Sequence, residues 1–226
     1  MSLYTISDLH LSLSADKPMD VFYGWDNYID RINANWKRTV SENDTVIIPG
    51  DISWALKLED SQKDFEFLDS LPGKKIILKG NHDLWWSTMK KLTSFFESKG
   101  IKTVTPLFNS AVAAEGRAIC GSRGWFFEKD DQNKKILLRE AGRLDMSITE
   151  AEKIGEPLVF LHYPPVYAEI VCDEIIDALK KHNIKTVYHG HIHGSGLHRA
   201  VTEYDGIRFK LVSCDCIDFT PHRILL

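Results

Sequence analysis

No apolar run among the 226 residues approaches the ~18 needed to span a bilayer. The start, Met1-Ser2-Leu3-Tyr4-Thr5-Ile6-Ser7-Asp8, lacks a basic segment followed by a long apolar one. A secretory signal is therefore not expected, a membrane partner is excluded, and a cytoplasmic (cytosolic) location is predicted. Cysteine is scarce: there are four, and only Cys214 and Cys216 lie close together. That is too few for a disulfide framework, so reduced thiols are expected. A dominant charge is lacking too, since 28 Lys and Arg face 32 Asp and Glu for a net charge of -4. No Lys/Arg cluster forms a basic track, which argues against extended nucleic acid as a partner. Affinity for a small phosphorylated substrate must then come from a local positive centre, and a metal ion can supply one.

No internal repeat or low-complexity segment is present. The only long polar connector, residues 128–135, reads as a charged loop that need not separate domains. The length fits one domain, residues 1–226.

What is present is an alternation of short, β-rich apolar runs with stretches of helical period, which predicts an α/β layered fold. Residues 3–7, 45–49, 75–79, 158–161 and 186–188 read as buried strands. Trp25, Tyr28, Ile29, Ile32 and Trp36 share one helical face. Trp85, Met89, Leu92 and Phe96 share another, with Gly100 placed to close that helix. Residues 110–120 and 199–213 read as hairpins turning at Glu115-Gly116 and Asp205-Gly206.

Each of the five strands leads into a polar motif. These are Asp8-Leu9-His10, Gly50-Asp51, Gly80-Asn81-His82-Asp83, His162 before Tyr163-Pro164-Pro165, and Gly190-His191-Ile192-His193. In open α/β sheets ligands bind beyond the carboxyl ends of the strands, so motifs spread along the chain can converge on one point. Glycine before Asp51, Asn81 and His191 suits a sharp turn that aims the next side chain at a shared centre. Two carboxylates, one amide and four imidazoles mix oxygen and nitrogen donors, a set that favours Mn, Fe or Zn. Seven donors exceed one ion's needs, and Asp51 is the natural candidate to bridge two ions.

Taken singly, these motifs have plain structural explanations as turns or hydrogen-bonded core histidines; in order they do not. The ordered set resembles the calcineurin-like metallophosphoesterase superfamily, whose pattern D-x-H, G-D, G-N-H-[DE], H and G-H-x-H is met at every motif from residue 8 to residue 193. The resemblance implies a four-layer αββα sandwich of two mixed β-sheets flanked by helices, with a site at one edge of the sheets. It implies one metal on Asp8, His10 and His193, a second on Asn81, His162 and His191, and Asp51 shared between them. The expected reaction is hydrolysis of a phosphomonoester or small phosphodiester by hydroxide bridging the two ions. His82 would be the general acid and Asp83 the support of its imidazole. A non-catalytic interaction scaffold on the same fold is the alternative, disfavoured because His82 and every donor are retained.

Beyond these, Arg123 in a Gly-flanked loop could grip a phosphate, or could serve a structural ion pair. Arg139 and Arg143 are reserve candidates. Trp54, Trp85, Trp86, Trp125 and Phe126 could stack on a substrate, although core packing is the commoner use of such residues. His189, His198 and the Cys214/Cys216 pair are expected to be structural. Selectivity is expected from the loops at residues 12–24 and 123–135.

Overall fold

The computed structural model describes residues 1–125 and 131–225, and side chains outside 126–133. Strands β1 (Leu3–Thr5), β2 (Thr45–Pro49), β3 (Lys74–Leu78) and β4 (Val104–Pro106) form the first sheet. The hairpin strands β5 (Ala111–Ala114) and β6 (Arg117–Ser122) begin the second, and β7 (Pro157–Leu161) continues it. A separate ribbon of β8 (Val166–Tyr167) and β9 (Ile170–Val171) follows. Then β10 (Thr186–His189), β11 (Glu203–Tyr204) and β12 (Ile207–Leu211) complete the second sheet, and β13 (His222–Ile224) returns to the first. The orders are β13-β1-β2-β3-β4 and β11-β12-β10-β7-β6-β5. In the first sheet only β13 is antiparallel, and in the second only the outer strands β5 and β11 are.

The helices are α1 (Tyr28–Thr39), α2 (Gln62–Ser70), α3 (Met89–Ser98), α4 (Asp131–Glu152) and α5 (Asp173–Lys181). Successive strand residues point to opposite faces, and the layers follow from that alternation. Val46 and Ile48 pack with Ile32, Trp36, Phe65, Leu92 and Phe96 under α1 to α3. Ile47 between them packs with Ile76, Phe160 and Tyr188 between the sheets. Val159, Leu161 and Val187 face the other way, against Leu144, Ile148, Ile175 and Leu179 of α4 and α5. Helix, sheet, sheet and helix thus make the predicted layers, and each fully buried aliphatic side chain contributes about 1.5–3 kcal/mol to holding them. Among the described residues no helix is long and apolar enough to cross a membrane.

Both hairpins turn where expected, with Glu115-Gly116 at φ +47° and +77° and Asp205-Gly206 at +49° and +76°. These are the left-handed values that a two-residue turn between right-twisted strands requires. Gly100 closes α3 at φ +70°, and Ile101 N–H reaches back to the Phe96 carbonyl at 2.9 Å. Two expectations are corrected: α1 and α3 start later than their apolar stripes, so Trp25 and Trp85 fill the core from the preceding loops. The predicted charged loop is also shorter than expected, because residues 131–135 already belong to α4; residues 128–130 lie outside the described residues. The four cysteines form no disulfide, and Cys214 and Cys216 sit in a turn segment after β12.

Candidate metal centre

The carboxyl ends of β1, β2, β3, β7 and β10 lie on one edge, and the two sheets are stitched there. Ser7 N–H donates to the Val212 carbonyl at 2.8 Å, and Cys214 N–H donates to the Ser7 carbonyl at 3.0 Å. Beyond the strands the backbone bends sharply. Asp8, His10, Asp51 and His191 all take left-handed φ, at +61°, +45°, +52° and +74°. Residues with a Cβ adopt such angles only where the surroundings over-determine them. Here they do: Asp8 N–H donates to the Gly50 carbonyl and His10 N–H to the Asp51 carbonyl, both at 3.0 Å. Gly50 is itself at φ +98°. Gly80 approaches so closely that a Cβ there would run into the Asp51 carboxylate and backbone.

Two groups of donors result. Asp8, His10 and His193 form one, and Asp51, His162 and His191 the other; within each, the facing ligand atoms all lie within 4.8 Å of one another. Asn81 joins the second group through its Oδ1, 2.6 Å from His162 Nε2. Asp51 stands between them, its Oδ2 lying 3.5 Å from His162 Nε2 and 3.8 Å from His10 Nε2. His191 and His193 come from one short motif yet go to different groups, because the chain turns at His191 instead of continuing as strand.

The electrostatics suit cations. Burial lowers His10 and His162 to about 3 and His191 to about 4 despite the opposing pull of Asp8, leaving neutral imidazoles, the form that ligates metals. Burial, with Asp8 and Asp83 nearby, pushes the Asp51 carboxyl well up. Burial also opposes charge on Asp8, but His193, His162 and His10 outweigh it and hold its carboxyl below the usual range. His193 is the exception among the imidazoles: burial works against its charge, but Asp8 and Asp215 push it up to about 10. Its Nε2 is 3.2 Å from Asp8 Oδ1 without hydrogen-bonding orientation, and it and His10 Nδ1 are buried polar atoms lacking a hydrogen-bond partner. An orphaned imidazole nitrogen facing a carboxylate, as His193 Nε2 faces Asp8, is what a metal site needs, and this oxygen and nitrogen set fits divalent or transition ions.

His82 sits at the exposed mouth, its ring 4.4 Å from Trp54 and 5.6 Å from His10. Asp83 does something other than support that ring. It is buried, and its carboxylate accepts from the backbone N–H groups of Asp51, Ile52, Ser53 and Gly80 at 2.7–3.3 Å and from Trp85 Nε1 at 3.0 Å. With five donors already on it, no capacity is left for His82, and its work is to fix the turns that carry Asp51 and Asn81. Arg123 faces buried Glu140 at 3.7 Å and lies over the Trp125 ring, and Arg143 pairs with the same Glu140 at 2.5 Å. Trp54 stacks on His10, Trp85 is core, and Trp86 lines a neighbouring cavity; Phe126 lies outside the described residues. His189 is buried against the Gly190 carbonyl at 3.1 Å, and His198 is exposed.

Sequence reasoning missed a supporting set. Asp215 accepts from Gly194 N–H at 2.8 Å and holds His193 Nδ1 at 2.9 Å. Ser213 Oγ donates to Asp8 Oδ2 at 2.9 Å, and His162 Nδ1 is held by the Pro49 carbonyl at 3.1 Å. Such partners fix the tautomer and direction of a ligating imidazole. The one available signal was a carboxylate between Cys214 and Cys216, and nothing in its spacing ties it to His193.

The fold and site define a layered α/β protein with two adjacent Asp/His groups able to hold metal ions. Residues 1–195 match the calcineurin-like phosphoesterase family, and the chain belongs to it. Among solved structures, the Aquifex aeolicus protein of unknown function AQ665 superposes with a TM-score of 0.58 at 18% identity, covering 98% of this chain and 95% of that one. The phosphopantetheinyl hydrolase PptH of Mycobacterium tuberculosis gives 0.52 at 16% identity, covering 99% and 95%. At these identities the likeness is one of fold. No curated protein sequence matches the chain.

Proposed function

We propose that the chain hydrolyses a phosphomonoester or small phosphodiester using two divalent or transition metal ions. The observation that carries this reading is the pair of donor groups joined by Asp51. Asp8, His10 and His193 would hold one ion, Asn81, His162 and His191 the other, and Asp51 both. When bound, such a pair supplies Lewis-acid polarisation of phosphoryl oxygens and an activated water at neutral pH. Two dipositive ions exceed the charge of the two carboxylates, so the centre attracts a phosphate anion.

His82 is placed at the open side to protonate the departing ester oxygen. Its partial burial, with Lys17 and His193 adding to the fall and Asp8 opposing it, lowers its pKa. Asp83 acts as a positioning residue through the turns. Trp54 and Trp25 wall the first donor group, which limits water beside His10 and His193. Arg123 is assigned to substrate binding.

The test is turnover of nitrophenyl phosphate mono- and diesters by the purified protein with Mn²⁺. Activity should be lost to chelator and restored by the ion, and fall sharply in Asp51→Ala and His82→Ala. Equal activity in those variants sinks the assignment, and absence of metal-dependent turnover favours a scaffold. An unchanged KM and kcat in Arg123→Ala would remove that residue.

A further inference from the structure

Beside the donor groups, between the carboxyl ends of β3 and β6 and the face of α4, lies a cavity of about 540 Å³. Among the described residues Lys79, Arg123, Arg139 and Arg143 line it, and Glu140 is the one lining carboxylate. Among these described residues that is a surplus of three positive charges, four less one, in a chain whose net charge is -4. Glu140 is buried and already shared by Arg143 and Arg123 at 2.5 and 3.7 Å, so it compensates little of the rest. Among the described residues Arg139 has no carboxylate partner, and it stands one turn from Arg143 on α4, a like-charge spacing that costs helix stability. Arg123 Nε is a buried donor without a hydrogen-bond partner. The apolar wall includes Trp86 and Phe108, and Arg143 lies over the Phe108 ring at 5.1 Å.

The cavity adjoins the candidate centre. Lys79 is two residues before Asn81, and the Arg123 carbonyl accepts from the N–H of Tyr163, the neighbour of His162, at 2.9 Å. A cavity this size suits a small anion with part of its organic carrier, and guanidinium groups grip phosphate through paired N–H bonds.

We propose that this cavity is a second anion subsite, taking a phosphate on the same molecule as the phosphoryl group attacked at the metal centre. The substrate class is then an organic diphosphate or bisphosphate rather than a simple monoester. The substrate assignment rests on the hydrolytic reading above; anion binding in the cavity does not.

Two measurements separate them. First, metal-free protein is titrated calorimetrically with inorganic pyrophosphate. Binding is expected, weakened about tenfold in Arg139→Gln and partly restored in Arg139→Lys. Arg139 is exposed, so these variants should keep the fold, which circular dichroism verifies. No heat in the parent, or equal affinity in Arg139→Gln, overturns the subsite. Second, with Mn²⁺ present, kcat/KM is compared for a nucleoside diphosphate and for nitrophenyl phosphate. The ratio should fall about tenfold in Arg139→Gln, and an unchanged ratio overturns the substrate class. Arg139-dependent pyrophosphate binding with no turnover of either substrate, the diphosphate's P–O–P anhydride or the nitrophenyl ester, would uphold the subsite and sink the hydrolytic reading; turnover of both with no pyrophosphate binding would do the reverse.

Discussion

The two sheets meet at one edge but contribute to it differently. From the first come Asp8, His10, Asp51 and Asn81, all carried on turns whose backbone is bent into left-handed angles or pressed against a glycine. From the second come only imidazoles, His162, His191 and His193, and two of these are steadied by groups outside the motifs, the Pro49 carbonyl and Asp215. The first sheet therefore supplies both carboxyl groups on sharply bent turns, and Asp83 holds those that carry Asp51 and Asn81. The second supplies imidazoles, neutral at His162 and His191 but charged at His193, and depends on outside partners to aim His162 and His193. A site divided this way should fail differently on its two sides.

The largest effect should come from Asp51, the residue that touches both groups. Asp51→Ala should lower Mn²⁺-dependent turnover by about 10³-fold or more, roughly 4 kcal/mol of transition-state stabilisation, whereas His191→Ala, which touches one group, should lose less. Equal losses measured as kcat/KM would erase the distinction between shared and single ligands. Next comes Asp83→Ala, which strands several buried N–H donors. Urea denaturation should show a loss of roughly 3 kcal/mol, and a variant of parental stability would mean the turns of the first sheet are held by something else.

On the second side, Asp215→Asn should leave stability nearly unchanged and weaken metal affinity about 10- to 100-fold, read by competition with a chelator. A large stability loss instead would make Asp215 a structural brace. The smallest effect concerns Lys75, buried on β3 with its ammonium donating to Thr103 Oγ1 at 3.1 Å. Burial lowers its pKa from 10.5 to about 8, with Asp69 and Glu42 opposing. Between those values the unfolded chain binds the proton that the native protein has released, so this group makes stability rise as pH climbs from about 8 towards 10.5. Below about 8 its full burial penalty is felt. Lys75→Met should flatten that rise in denaturation curves taken at pH 7.5 and 10; an unchanged slope would show that Lys75 keeps its proton.

Much of the centre was legible because each donor type sits beside a local signal. Glycine precedes Asp51, Asn81 and His191, and each motif follows a short apolar run that reads as a buried strand. Asp83 was misread for an equally local reason: adjacency in sequence to His82 suggested a partner, while its carboxylate turns inward to residues 51–53. Asp215 was not legible at all. It lies 22 residues beyond His193 on a turn after β12, and only the pairing of β12 beside β10 brings the two together.

By itself, then, the sequence determined the layers and the strand ends and pointed to the seven candidate donors, since periodicity and turn chemistry act over a few residues. The tertiary structure decided how the donors divide. His191 and His193 are two residues apart and serve different groups, and Asp8 and His193 are 185 apart and serve the same one. It also gathered Lys79, Arg123, Arg139 and Arg143 into one cavity from the residues that follow β3 and β6 and from α4. Those groupings depend on how parallel strands are ordered and how two sheets stack, and contacts across such distances leave no mark in local spacing.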